Sequence, residues 1–340
     1  MDPLCEALAI LETGRGLSVE QTHDAVETIM AGSATDAVIA AFLTALHHKG
    51  ETAEELAGAV RAVRARMTPL AGDFPPVLDT CGTGGDGANT VNVSTATALV
   101  SAASGAPVAK HGNRSASGNS GSSEVLTALG ISIEADPDTL TRCLIDLRIT
   151  FLFAPRFHPA LRFAARARRQ LPFRTLFNLV GPLANPARPA YQLVGVPGER
   201  LAALMAKTLA DLGTTRAAVV TGSDGLDEVT LAGPTRVLWV EHGEIQARTW
   251  TPDDFGLPLV EAAELRVSGP AESADRLRKV FAGKADPARA VVLANTAAAL
   301  LVAGRVSTLR DGVACAADAI DSGASAALLD RWRDLSPASG

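Results

Sequence analysis

Beyond residue 76, short apolar runs (Val77–Asp79, Pro107–Ala109, Phe151–Phe153, Tyr191–Val196 and Ala217–Thr221) alternate with helical stretches such as Ser94–Ser104, Ser122–Leu129 and Pro137–Leu147. Strands separated by helix-length segments do not pair as hairpins. They form βαβ units, and hence a mostly parallel sheet with helices on its faces. Arg236–Glu241 reads as a later strand, for which antiparallel pairing is open. The first 70 residues contain no such alternation and read as helices only. Ser18-Val19-Glu20-Gln21 is a capping box, Ser33 and Thr52 (with Glu55 three residues on) open two more helices, and Gly32 and Gly50 stop helices. Leu56, Val60, Val63 and Met67 recur at helical spacing, and Thr68–Pro76 reads as a linker.

The 340 residues suit two domains or one large one. A net charge of −6 argues against binding nucleic acid through global electrostatics, and 4% aromatics with a single Tyr argue against a base-stacking platform. Cys5, Cys81, Cys143 and Cys315 lie far apart and read as free thiols of a reducing compartment. The N-terminus lacks the cationic and apolar regions of a signal peptide. The most apolar segment, Ala288–Gly304, contains Arg289 and Asn295 and reads as a buried helix, not a membrane span. The expectation is a cytoplasmic α/β protein.

From Gly87 to Ser123 the chain runs 37 residues without an Asp or Glu, while Gly, Ser, Thr and Asn abound. Small residues free backbone N–H groups, and hydroxyls, amides and cations join them. Such a surface suits a polyanion. Gly82-Thr83-Gly84-Gly85-Asp86-Gly87 satisfies G-x-G-x-x-G after a strand, but no acid follows at the distance a ribose hydroxyl needs, and the next helix starts only near Ser94. Asn92-Val93-Ser94-Thr95 is a helix N-cap that doubles as an anion site once it follows the glycine loop. Lys110-His111-Gly112-Asn113-Arg114 leads into a Ser/Gly-rich loop of phosphate-cradle character.

A second acid-free zone, Leu147 to Gly198, holds arginines 148, 156, 162, 166, 168, 169, 174 and 188, which leaves room for a carboxylate or phosphate ligand. Asp227-Glu228, in Gly225-Leu226-Asp227-Glu228, follows a strand. Beside a pyrophosphate these acids would ligate Mg²⁺, with Ser94 in reach of the same ion. Zinc and acyl-enzyme motifs do not occur.

Together GTGGD at 82–86, NVST at 92–95, KHGNR at 110–114, RTLFNLVGPLANP at 174–186, GLDE at 225–228 and the closing Val291–Gly304 with Gly312-Val313 resemble the anthranilate phosphoribosyltransferases of tryptophan biosynthesis. The resemblance implies an α/β fold, with a small all-helical domain plus a larger α/β domain whose mostly parallel central sheet is flanked by helices. It implies a helical domain at 1–70 with 168–190 returning to it, an α/β domain at 75–167 and 191–336, and a homodimer through the helical domain. Gly82, Gly85, Asp86, Thr90, Asn92, Val93, Ser94, Thr95, Lys110, His111, Gly112, Asn113, Arg114, Ser115, Ala116, Ser117, Gly118 and Ser122 resemble the site for phosphoribosyl pyrophosphate. Gly82, Asn113, His158, Arg168 and Pro182 resemble the anthranilate channel, with catalytic roles for Lys110, Asn113 and Arg168. Ser94, Asp227 and Glu228 resemble the ligands of Mg²⁺, at two ions per subunit. The implied partners are these two substrates, with no nucleic acid and no membrane.

Four positions depart from the family's usual pattern. Ser123-Glu124 stand for Ala-Asp, Pro172 for a glycine, and Thr221 for a histidine. The implied reaction transfers the 5-phosphoribosyl group to the anthranilate amine and releases pyrophosphate. An aromatic amine is neutral at pH 7, so no strong general base is needed. Rival readings are a pyrimidine nucleoside phosphorylase of the same fold, a non-catalytic nucleic-acid-binding relative, and a dinucleotide dehydrogenase.

Overall fold

A computed structural model describes residues 2–84, 87–114 and 121–336. Four helices come first: α1 (Pro3–Glu12), α2 (Val19–Met30), α3 (Asp36–Lys49) and α4 (Ala53–Arg66). Capping boxes Ser18/Gln21 and Thr52/Glu55 start α2 and α4 as the sequence predicts, and Gly50 closes α3. The cap of α3 is Thr35 instead of Ser33, because Thr35 is the residue whose hydroxyl accepts the Val38 N–H. Glu55 is fully buried, yet its carboxylate accepts Leu17 and Thr52 N–H groups and pairs with Lys49 at 2.9 Å.

Then follow β1 (Leu78–Gly82), α5 (Val93–Ala103), β2 (Val108–Gly112), α6 (Ser122–Ala128), α7 (Pro137–Leu147), β3 (Ile149–Phe153), α8 (Ala154–Phe157), α9 (Arg162–Arg169), α10 (Leu176–Val180), β4 (Tyr191–Gly195), α11 (Glu199–Asp211) and β5 (Arg216–Gly222). A hairpin of β6 (Thr235–Glu241) and β7 (Glu244–Trp250) precedes α12 (Pro252–Phe255), α13 (Pro270–Phe281), α14 (Pro287–Val302), α15 (Leu309–Asp321) and α16 (Ala324–Leu335).

The sheet order is β3-β2-β1-β4-β5-β6-β7, parallel from β3 to β5 and antiparallel beyond. The antiparallel sense of β6 resolves the open choice. β7, which the sequence reading did not name, pairs back through a turn at His242-Gly243 where both residues take positive φ.

Successive strand residues face opposite sides. Ala218 and Val220 join a core with α5, α6 and α13 to α16, while Ala217 and Val219 join α1 to α4 and α9 to α11. The helical start of the chain therefore shares a core with one sheet face. α9 and α10 pack onto α2, α3 and α4. The Thr68–Pro76 linker is tied down, with Thr68 N–H bonded to the Phe157 carbonyl and Leu70 buried.

β1 has β2 on one side and β4 on the other, so the chain order reverses direction between β1 and β4. In open parallel sheets the crevice beyond the strand C-termini at such a reversal is where ligands bind. Gly82 and Gly195, paired in register, end these two strands.

Candidate active site

The floor of this crevice is β1 and β2. Asp79 is buried; one carboxylate oxygen accepts the His111 backbone N–H at 3.2 Å and the other accepts Asn185 Nδ2 at 2.8 Å. Burial pushes its pKa up to about 6 against the opposing pull of Lys110 and these hydrogen bonds. Lys110, 1% exposed, donates from Nζ to the Thr80 carbonyl and to Ser94 Oγ, the latter at 3.1 Å. Burial lowers its pKa, and the charges of Asp79, Glu228 and Asp227 oppose that shift. Lys110 and His111, adjacent on β2, necessarily face opposite sides, so one strand serves two parts of the crevice.

α5 starts beside Lys110. Asn92 caps it, its Oδ1 accepting the Thr95 N–H at 3.0 Å, and no acid occupies the first turn. The open N–H groups of Val93 and Ser94 and the helix dipole favour an anion there. Ser94 is further held by its carbonyl, which accepts Thr80 Oγ1. Thr95 Oγ1 is buried with no partner among the described residues. Thr90 forms a bridge with Arg266 ahead of the helix.

Asp227 arrives from the loop after β5. A Cβ on Gly82 would stand 2.5 Å from its Oδ2, and one on Gly195 would stand 1.5 Å from its carbonyl oxygen. Only glycines admit this approach. The Gly84 N–H donates to Asp227 Oδ2 at 2.9 Å, and the Arg174 guanidinium donates to the Gly84 carbonyl. The glycine loop is thus clasped between the loop after β5 and the segment leading into α10. Among the described residues no three His, Cys, Asp or Glu side chains gather to hold a metal. Two carboxylates and a hydroxyl next to an open glycine cradle instead fit Mg²⁺ that takes its remaining ligands from phosphate and water.

Gly112 lies against the Phe151 ring, Arg114 is 6.0 Å from the Phe153 ring centroid, and Ser122 opens α6. Asn113 is exposed, and its Oδ1 accepts the Arg114 N–H. Gly85, Asp86, Ser115, Ala116, Ser117 and Gly118 lie outside the described residues.

The opposite wall comes from the helical side. His111 Nδ1 lies 2.9 Å from the Gly181 carbonyl; a carbonyl only accepts, so Nδ1 carries the proton and Nε2 is a bare lone pair. That Nε2 has no hydrogen-bond partner among the described residues, although the residue is about 95% buried; the equally buried His158 ring lies 5.1 Å away, beside the Ala184 backbone. Burial pulls the pKa of His111 down to about 3 and that of His158 to about 4, so both are neutral. Pro182 is buried in the turn that carries Gly181; Gln192 fixes its carbonyl and Arg64 of α4 fixes that of Leu183. Arg168 of α9 lies 5.6 Å from the Phe177 ring centroid, is half-buried, and pairs with no acid among the described residues. Burial lowers its pKa, which leaves it a cation all the same.

Residues 6–67 match the helical bundle domain of a glycosyl transferase family, and residues 74–326 match its a/b domain. An anthranilate phosphoribosyltransferase of Moorella thermoacetica is 49% identical over 316 residues, 93% of this chain and 93% of its own length. This chain belongs to the anthranilate phosphoribosyltransferase family. The family member from Thermomicrobium roseum is 48% identical over 96% of this chain and 94% of its own. The crystal structure of the Thermus thermophilus anthranilate phosphoribosyltransferase superposes with a TM-score of 0.91 at 38% identity, covering 98% of this chain and 99% of that one. The Saccharomyces cerevisiae enzyme in complex with PRPP and Mg gives 0.90 at 29% identity, covering 98% and 97%.

Against the family pattern, Thr221 is buried and donates to the Val196 carbonyl, Ser123 Oγ donates to Glu124, and Pro172 is exposed just ahead of the Arg174 segment. Asp79, Asn185, Arg174, Gly195 and Asn295 carry contacts that sequence reading did not assign. The signals present were an Asp opening the glycine loop and a lone Asn in an Ala-rich helix.

Proposed function

We propose residue roles for the family's reaction, the transfer of the 5-phosphoribosyl group from phosphoribosyl pyrophosphate to the amine of anthranilate. The C1–N bond forms, the C1–O bond to pyrophosphate breaks, and the amine proton departs once nitrogen carries the new bond. The observation that supports the reading best is the seating of Asp227 on Gly82 and Gly84. It brings an acid beside the glycine loop that leads into the acid-free stretch from Gly87 to Ser123.

Pyrophosphate and ribose phosphate lie along the glycine loop, the α5 N-terminus and the 110–118 loop, where Gly82, Gly85, Asp86, Thr90, Asn92 to Thr95, Lys110 to Gly118 and Ser122 are assigned. Lys110 stabilises the leaving group from below. Asp227, Glu228 and Ser94 would hold Mg²⁺, at two ions per subunit, which would supply positive charge for the pyrophosphate leaving group. Gly82, Asn113, His158, Arg168 and Pro182 line the anthranilate channel, with Arg168 pairing the carboxylate.

His111 Nε2 accepts a hydrogen bond from the amine. Its low pKa makes it a poor base, so it orients a nucleophile that is already neutral. The same proposal includes a helical domain at 1–70 and 168–190, an α/β domain at 75–167 and 191–336, a homodimer through the helical domain, and residence in the cytoplasm. Among the described residues no single helix is long and apolar enough to cross a membrane.

Pyrophosphate release measured with phosphoribosyl pyrophosphate and Mg²⁺ should depend on added anthranilate. Equal release with and without it would overturn the acceptor assignment.

A further inference from the structure

α14 is buried along most of its length and largely apolar, and Asn295 stands in its middle with no exposure. A primary amide in such surroundings is costly to bury unless its hydrogen bonds are met. Here they are met by one residue above all. Oδ1 accepts the Val229 N–H at 2.9 Å, while Nδ2 donates to the Val229 carbonyl and to the Val291 carbonyl, each at 2.9 Å. Val229 is itself fully buried and outside any strand, so the amide gives it the pair of hydrogen bonds a neighbouring strand would have given.

Val229 directly follows Asp227-Glu228. On the other side of the acids, Leu226 is buried, its N–H donates to Asp224 Oδ1 at 3.2 Å and its carbonyl accepts the Gly222 N–H at 3.0 Å. Asp227 itself abuts Gly195. The two acids are therefore a short span with its backbone fixed at both ends, and Asn295 fixes the end nearer Glu228.

We infer that Asn295 is a positioning residue for the divalent-cation site, acting through Val229 on the directions of the Asp227 and Glu228 carboxylates. The inference rests on the assignment of Mg²⁺ to those acids. Partners behind a metal's own ligands typically govern affinity by about 10–100-fold.

The test is binding of Mn²⁺ with pyrophosphate, followed by electron paramagnetic resonance and calorimetry, in the wild type, Asn295→Asp, Asn295→Ser and the double variant Asp227→Asn/Glu228→Gln. Asn295→Asp keeps an acceptor for Val229 but sets an oxygen against two carbonyls. Asn295→Ser is the second variant in case that repulsion prevents folding. Thr296→Val, which alters the next buried residue of α14, is the control. Expected are a fall in Mn²⁺ affinity of about tenfold or more in the Asn295 variants, a matching rise in the Mg²⁺ concentration for half-maximal turnover, and an anthranilate KM changed less than about twofold. Thr296→Val should leave Mn²⁺ affinity alone. Unchanged affinity in a folded Asn295 variant, with binding abolished in the double variant, overturns the inference and leaves the metal assignment standing. Unchanged affinity in the double variant overturns both.

Discussion

On the floor of the crevice Lys110, Asp79 and Asn185 are buried and tied to one another's neighbours by hydrogen bonds within the chain. Along the helical wall, among the described residues, Arg168 pairs with no acid and the buried His111 Nε2 has no hydrogen-bond partner. Burial is substantial in both places, so burial is not what separates them. The difference is whether the polar group has been answered. A buried donor or acceptor left unanswered costs about 1–3 kcal/mol, and a fold retains it where a ligand supplies the missing bond. The floor is a pre-set electrostatic scaffold, and under the proposed roles the wall would receive an acceptor that brings a carboxylate and an amine.

The largest expected effect comes from breaking the floor. Lys110→Met should lower kcat by about 10²–10³, as loss of a charge-stabilising donor does elsewhere, with little change in either KM. A fall confined to the KM of the phosphoribosyl donor would recast Lys110 as a binding residue only. On the wall, Arg168→Ala should raise the anthranilate KM by roughly 10–100-fold, the worth of a charge-assisted hydrogen-bonded pair, and leave the donor's KM within about threefold. An unchanged anthranilate KM would remove the carboxylate role.

Two smaller effects separate the regions by stability. Asp79→Asn takes an acceptor from either the His111 N–H or Asn185, and should cost about 1–3 kcal/mol in urea unfolding. A neutral result would mean the floor's network contributes nothing. The histidines act with pH. Folded His158 titrates at about 4, well below the unfolded value near 6.5. Its contribution is therefore fully present above about pH 6.5 and is lost as pH falls from there toward 4. From pH 7.5 to 5.5 that loss is about 1 kcal/mol, which His158→Phe should abolish. An unaltered pH slope would show that burial does not hold this ring neutral.

The same contrast explains what the sequence made legible. The N-cap at Asn92 and the capping boxes at Ser18 and Thr52 act over three residues, so their chemistry is written locally. The parallel sheet was legible because strands and helices must alternate to build one. The role of Asn185 depends on Asp79, 106 positions away, and that of Asn295 on Val229, 66 positions away. The tautomer of His111 is set by a carbonyl 70 positions on. Spacing alone cannot announce such partners. The acid-free stretch from 147 to 198 was legible because it is a property of composition, whereas Arg168 was singled out among its eight arginines by the family resemblance alone.

Gly195 has a consequence for the genetics of this chain. A methyl group there would fall 1.5 Å from the Asp227 carbonyl oxygen, and glycine turns into alanine by one base change. Its neighbours Val194 and Val196 are core residues on the helical-domain side of the sheet. In a host that needs this enzyme to grow without tryptophan, random mutagenesis screened for soluble but inactive protein should return Gly195 again and again. One way to silence the enzyme is to deny one loop the space of a single carbon atom.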